Sequence, residues 1–182
     1  MKGLVLITFL ALAGCAATPA SLDSVARTES ARLVRPAKPF SSYASYELKA
    51  MVLSAAVTSE PKKVQEAMTL EKKLQDKIQP LLAQWRSAPA GNRSGTLVLE
   101  PQLAALKIVS GGARFWAGGM AGDSLIDLDL AITDLTSGQQ VAKPRLAREA
   151  NGLTGAWSVG KSDQNLHDYI VTIAYQYLSD NY

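Results

Sequence analysis

The clearest pattern in the sequence is a strict alternation of apolar with polar or small positions over Ser124–Asp134. The apolar positions are Ile126, Leu128, Leu130 and Ile132. A period of two residues predicts a β-strand with one buried face. Turn residues over 134–138 predict a hairpin, and residues 139–150 are predicted as the returning strand. Pro144 in that strand indicates the edge of a sheet.

A period of three to four residues predicts two helices. The stripe of the first, over residues 62–87, consists of Val64, Ala67, Leu74, Ile78, Leu81 and Trp85. Glu71 interrupts this stripe, and Pro80 predicts a kink or a restart. The stripe of the second, which begins at Ser162, consists of Leu166, Ile170, Ile173 and Tyr177. Such stripes are typical of helices packed on a sheet.

Two further segments, residues 46–57 and 96–109, are predicted to be extended, and Pro101 predicts a bend or an edge position in the second. The order of elements is therefore strand, helix, three strands and helix. This order predicts an α+β fold: a mainly antiparallel sheet of about four strands with both helices on one face.

The N-terminus has the pattern of a signal peptide. Lys2 precedes the apolar residues 4–12, and the small residues Ala13 and Gly14 follow. The apolar run is too short to span a bilayer, because a spanning helix needs roughly 20 apolar residues.

The sequence Leu-Ala-Gly-Cys at residues 12–15 resembles the lipobox of bacterial lipoproteins. The resemblance implies cleavage between Gly14 and Cys15, a diacylglyceryl thioether on Cys15 and an acyl chain such as palmitate on its amine. Cys15 is the only cysteine of the chain, which favours lipidation over an ordinary secretory signal. Ala16 and Ala17 stand where an inner-membrane retention aspartate would stand. The chain therefore resembles outer-membrane cargo, with its domain expected to face the periplasm.

These features divide the chain into a signal (residues 1–14), a lipidated, flexible tether (15–39) and one α+β domain (40–182). The tether is rich in Ala, Ser, Thr and Pro, and a short helix around residues 24–33 is an alternative for part of it. Its basic residues are interpreted as a solvated linker rather than as headgroup contacts. The 19 Lys and Arg residues nearly balance the 16 Asp and Glu residues, so we expect no nucleic-acid partner.

A second resemblance rests on the glycine-rich segment 111–122 and the hairpin that follows. Its residues are Gly112-Ala113-Arg114, Ala117-Gly118, Ala121-Gly122, Asp134, Thr136-Ser137-Gly138 and Gln139-Gln140-Val141. They are similar to those of a family of bacterial lipoproteins with no agreed activity. That family resembles the small α+β domains of envelope proteins such as the N-terminal domain of TolB and the lipoprotein CsgG. Phe115-Trp116 departs from the pattern, because both residues are bulkier than expected.

No catalytic or metal site is predicted. The glycine-rich segment lacks the Gly-Lys-Ser/Thr ending of a phosphate loop. The sole histidine, His167, is a neighbour of Asp168 on a helix, where adjacent side chains diverge, and no Gly-x-Ser-x-Gly nucleophile elbow is present. The aspartates around Ser124–Asp134 lack the EF-hand pattern, and Asp127 and Asp129 are interpreted as a solvated strand face. We therefore expect no enzyme and no cofactor beyond the lipid on Cys15.

The candidate binding residues are the large or basic side chains in the two glycine-containing segments. They are Arg114, Phe115, Trp116, Met120 and Trp157. The first hypothesis is a non-enzymatic binding or scaffolding role toward another envelope protein, with homo-oligomerisation left open. The alternative is a periplasmic carrier or sensor of an apolar ligand such as a lipid, held between the sheet and a flap formed by residues 111–122.

Overall fold

The computed structural model describes residues 21–89, 91–107, 124–150 and 162–182. The described helices are α1 (Leu22–Ser30), α2 (Ala55–Thr58), α3 (Pro61–Ser87) and α4 (Ser162–Asp180), with a 3-10 turn at Phe40–Ser42. The described strands are β1 (Ser45–Leu48), β2 (Val52–Leu53), β3 (Thr96–Lys107), β4 (Ser124–Asp134), β5 (Gln140–Ala142) and β6 (Arg145–Ala150). The predicted α+β class is confirmed.

The sheet is mixed and has six described strands, so the prediction of about four mainly antiparallel strands needs correction. β3 pairs with β4 in antiparallel register from Leu97↔Asp134 to Lys107↔Leu125. β5 and β6 pair antiparallel with the other side of β4. β1 and β2, however, run parallel to β3. The reason is that α3 connects them to β3 as a crossover, the connection that parallel neighbours require.

Two predicted strands are divided. Residues 46–57 form β1, β2 and then the short helix α2, which begins after Ser54. Pro144 separates β5 from β6, and its carbonyl accepts a hydrogen bond from the Leu130 backbone N–H at 3.0 Å. Pro144 therefore lies at the sheet edge, as predicted.

The prediction of an edge position for Pro101 is wrong, because β3 has neighbouring strands on both sides. The carbonyls of Leu99 and Leu103 accept hydrogen bonds from Lys49 and Ser54 on the β1–β2 side. Backbone groups of alternate strand residues point the same way, so the Pro101 nitrogen also points to that side. The Pro101 nitrogen faces the gap between β1 and β2, so its missing N–H costs the sheet no backbone hydrogen bond.

α3 and α4 cover one face of the sheet and bury the apolar residues of β3 and β4. The α3 side of this core is Ala67, Leu70, Leu74, Ile78, Leu81, Leu82 and Trp85. The sheet side includes Leu97, Leu99, Leu103, Ile126, Leu128, Leu130 and Ile132. α3 continues through Pro80, which lies on its exposed side. The predicted helical stripe is therefore the core stripe.

The hairpin after β4 depends on the Asp134 carboxylate and on two glycines. Oδ1 of Asp134 accepts hydrogen bonds from the backbone N–H groups of Thr136 (2.9 Å) and Ser137 (3.3 Å). Gly138 takes a φ of +69°, which side chains disfavour. Gly95 has a φ of +75°, and a Cβ there would lie 3.1 Å from Thr136 Oγ1. This turn is thus close to the start of β3.

The segment predicted as a flexible tether contains the packed helix α1, a correction for residues 21–39. Ser21 caps α1, and Ala26 in its middle is fully buried. Ser30 Oγ donates to Asp180 Oδ2 at 2.6 Å, and the Tyr177 hydroxyl donates to the Val34 carbonyl at 2.8 Å. Contacts with α4 hold this segment against the domain, and α4 lies far from it in the sequence.

Glu71, which interrupts the apolar stripe of α3, closes the outer edge of the sheet. Its Oε1 accepts a hydrogen bond from the Met51 backbone N–H at 2.8 Å. Fifteen residues on, Arg86 Nη1 donates to the Tyr46 carbonyl at 3.3 Å. The helix side chains thus satisfy strand groups that would otherwise be available to another chain.

We expect Glu71→Ala to lower the free energy of unfolding by about 1–3 kcal/mol, because it leaves the Met51 N–H unsatisfied in a nearly buried position. Glu71→Gln keeps an oxygen acceptor and is expected to cost less. Urea unfolding followed by circular dichroism measures both. Gln79→Ala, at an exposed position of α3, is the control. Equal losses for Glu71→Ala and Gln79→Ala would contradict the edge-closing role.

Candidate functional site

All residues selected from the sequence as site residues lie outside the described parts of the chain. They are Gly14 and Cys15 at the predicted cleavage point, and Arg114, Phe115, Trp116, Met120 and Trp157. The described strands and helices nevertheless fix where the segments that contain them are attached.

Both glycine-containing segments are attached at one end of the sheet. β3 ends at Lys107, whose register partner Leu125 lies at the start of β4. Ser124, the first residue of β4, pairs with Ala150, the last residue of β6. Residues 108–123 and 151–161 therefore leave the described fold side by side. We call this the loop end of the domain.

An arginine and a buried tyrosine lie near the loop end. The Arg148 guanidinium of β6 lies 4.5 Å from the ring centroid of Tyr169, which is in the second turn of α4. Burial raises the pKa of Tyr169, and the positive charge of Arg148 opposes that shift. Among the described residues, the Tyr169 hydroxyl has no hydrogen-bond partner. The sequence analysis missed this pair, because it joins residues 21 positions apart with no shared motif.

The described chain begins with α1, whose first residues lie in the half of the domain that contains the loop end. The first residues of α1 lie beside Asp168 and Thr172 of α4, and its last residue contacts Asp180. α1 and α4 are therefore parallel, and the described chain begins beside the N-terminal half of α4.

A groove of about 470 Å³ lies between α1, α3 and α4 at this point. Its lining includes Leu22, Asp23, Lys73, Lys77, Asp168 and Val171. Lys73 Nζ lies 2.6 Å from Asp168 Oδ1, an ion pair that joins α3 to α4. Lys77 Nζ lies 4.7 Å from the centroid of the Tyr175 ring. We call this feature the three-helix groove.

The side chains of His167 and Asp168 meet different residues of α3. His167 is buried, and its Nε2 lies 3.8 Å from Glu66 Oε2. Asp168 is directed instead to Lys73, two turns further along α3. Adjacent positions on α4 thus contact different partners.

The face of the sheet opposite the helices carries paired charges. Asp127 accepts two hydrogen bonds from Arg145, at 2.8 and 2.7 Å, and Asp129 lies 3.1 Å from Lys143. Bonding to Asp127 raises the pKa of Arg145. Asp127 and Asp129 thus lie on the face opposite the core, but they are half-buried by these ion pairs and not freely solvated. Across the described ranges, no group of three or more His, Cys, Asp or Glu residues is arranged to hold a metal.

An aromatic cluster lies at the end of the domain opposite the loop end. Trp85 stacks on Tyr182 at 4.4 Å between centroids, and Tyr46 meets Trp85 edge-on at 5.1 Å. The Tyr46 hydroxyl donates to the Phe40 and Tyr43 carbonyls at 2.9 and 2.8 Å. This cluster joins α3, β1 and the C-terminal helix, and its role is structural.

In the described part of the chain, no helix is both long and apolar enough to cross a membrane.

No protein-family model matches the chain, and no curated protein sequence matches it. Among solved structures, two crystal forms of the PelC dodecamer from Paraburkholderia phytofirmans, one of them a point variant, align with TM-scores of 0.48. Their identities are 9% and 8%, and the alignments cover 81% of this chain and 95% of PelC. A putative lipoprotein from Caulobacter crescentus CB15 aligns with a TM-score of 0.34 at 14% identity, covering 77% of this chain and 89% of that one. Likenesses this distant assign this chain neither a family nor a function.

The buried tyrosine Tyr177 gives a test of how α4 holds the N-terminal segment. Burial raises the pKa of Tyr177 to about 12. A pKa above the ordinary value of about 10 stabilises the fold below pH 10, and that stabilisation is lost as the pH rises toward 12.

We therefore expect Tyr177→Phe to cost about 1 kcal/mol at pH 7, through the lost hydrogen bond to Val34. We expect the difference from the wild type to shrink between pH 10 and pH 12, because only the wild type must keep this hydroxyl protonated. Urea unfolding at pH 7 and pH 11 measures it. A pH-independent difference would contradict the assignment.

Proposed function

We propose that this protein is a bacterial lipoprotein anchored in the outer membrane through acyl chains on Cys15. Its α+β domain faces the periplasm and binds another envelope component without catalysing a reaction. The candidate contact residues are Arg114, Phe115, Trp116, Met120 and Trp157.

The anchor is supported by the lipobox-like residues 12–15 and by the single cysteine of the chain. Each buried acyl CH₂ contributes about 0.8 kcal/mol of membrane affinity, so two or three chains hold a protein at a membrane stably. The described fold begins at Ser21, six residues after Cys15. Six residues span at most about 20 Å, which keeps the domain close to the bilayer surface.

The binding role is supported by one observation above the others, the register that joins Ser124 to Ala150 and Leu125 to Lys107. It attaches both segments that contain the candidate contact residues at the loop end. Aromatic and arginine side chains that lie close together are typical of protein-binding surfaces. Segments at opposite ends of the sheet would not serve one contact surface.

The alternative, a carrier of an apolar ligand, needs space between the sheet and its helices. In the described part of that layer, core side chains of α3 and α4 pack against those of β3 and β4. Ile78, Leu99 and Leu128 are fully buried there. This packing argues against a ligand held between the sheet and the helices, whereas the flap of residues 111–122 lies outside the described residues.

The anchor is tested by growing cells with an alkyne-labelled fatty acid and separating the membranes. We expect the wild type to incorporate the label and to fractionate with the outer membrane. Cys15→Ser is expected to remove the label and the membrane association. Thr18→Ala, which changes one small residue between Cys15 and α1, is the control. Label on the wild type in the inner membrane would contradict the localisation, and no label would contradict the anchor.

The binding role is tested by native mass spectrometry of the lipidated protein, extracted gently from its own membranes. We expect a co-purifying envelope protein or a defined oligomer, and we expect Trp116→Ala or Trp157→Ala to reduce its amount several-fold. Leu135→Ala, at an exposed apolar residue of the hairpin far from the loop end, is the control.

A lipid adduct beyond the acyl chains on Cys15, lost in Trp116→Ala, would favour the carrier instead. A monomer without protein or lipid adduct in every preparation would contradict both roles.

A further inference from the structure

The three-helix groove is an open surface groove that the proposed binding role does not use. Its volume of about 470 Å³ lies within the usual range for small-ligand sites. Its walls come from three helices, and two of these are tied together by the Lys73–Asp168 ion pair. The positions of its walls are therefore set by packed helices and not by one loop.

Five charged side chains line the groove, and three of them are already in ion pairs. Lys73 pairs with Asp168, and Asp76 pairs with Lys72 outside the lining. Lys77 and Asp23 both line the groove, on α3 and α1. Neither forms an ion pair with any residue in the described ranges. A ligand that carries both charges would satisfy both side chains, whereas a simple anion would meet the repulsion of Asp23.

Apolar surface accompanies these charges. Leu22 is about one-third exposed beside Asp23, and Val171 of α4 also lines the groove. A short carbon linker between the two charges of a ligand can contact these side chains. Thr172 adds a hydroxyl to the lining, although its hydrogen is donated to the Asp168 carbonyl at 2.6 Å.

The groove lies where lipid headgroups are available, a step that rests on the proposed lipid anchor. Leu22 lines the groove, and Ser21 precedes it. The six residues back to Cys15 span at most about 20 Å, so the acyl chains enter the bilayer within that distance of Ser21.

We infer that the three-helix groove binds the headgroup of a zwitterionic phospholipid of the phosphoethanolamine type. The ammonium of the headgroup donates to the Asp23 carboxylate, and its phosphate accepts from the Lys77 ammonium. A primary ammonium fits better than a quaternary one, because only the former donates hydrogen bonds to a carboxylate.

The experiment uses the mature protein in detergent micelles and the soluble headgroup glycerophosphoethanolamine, with binding measured by isothermal titration calorimetry. We expect saturable binding, weakened about fivefold by Lys77→Gln and by Asp23→Asn, as for a partly exposed charge pair. Lys62→Gln removes an exposed lysine of α3 outside the groove and is expected to leave binding unchanged. Circular dichroism confirms that each variant is folded.

Absence of saturable binding by the wild type would overturn the inference, as would binding that neither groove variant weakens. Equally tight binding of glycerol phosphate would show an anion site without use of Asp23, and would overturn it too. The probe is free in solution, so the result depends neither on the envelope partner nor on the anchor. The mass of the same protein reports lipidation separately. Headgroup binding by a protein without lipid on Cys15 would support the groove site and contradict the proposed anchor.

Discussion

The antiparallel pairing of β3 with β4 is the contact on which the other elements depend. A shift of one residue in this register would turn every apolar side chain of β4 to the opposite face. A β-bulge near Ala104 keeps the two strands in phase, because it lets Leu103 and Leu106 share the covered face although they are three residues apart. Ser54 holds this bulge through its hydroxyl, which donates to the Ala104 carbonyl at 2.7 Å. The helices pack on the face that this register defines.

The parts of the fold with a regular period could be predicted from the sequence. β4 and α3 lie almost where their patterns of two and of three to four residues place them. The parallel pairing of β1 with β3 did have a sequence signal, because the predicted order of strand, helix and strand is that of a βαβ crossover between parallel neighbours. Glu71 interrupts the apolar stripe of α3, and local pattern could not explain it. Its carboxylate accepts a hydrogen bond from the Met51 N–H, twenty residues earlier in the chain.

The candidate site was predictable only in part. Sequence patterns identified the two glycine-containing segments but did not show that they are attached next to each other in the fold. The pairing of Ser124 with Ala150 supplies that information. The three-helix groove had no sequence signal at all, because Asp23, Lys77 and Asp168 come from three helices. The range assigned to a tether was wrong for α1, whose Ala26 and Ser30 are buried, and the alternative of a short helix around residues 24–33 was closer.

Under the proposed lipidation of Cys15, the packing of α1 against α4 limits how far the domain can move from its anchor. If α1 were free, the 24 residues from Cys15 to Pro39 would allow the domain to roam up to about 80 Å from its anchor. With α1 packed, six residues separate Cys15 from Ser21, and the greatest radius is about 20 Å. The volume that the domain explores falls by about sixty-fold, since volume varies as the cube of the radius. Its effective concentration toward anything fixed at that surface rises by the same factor, without any new contact.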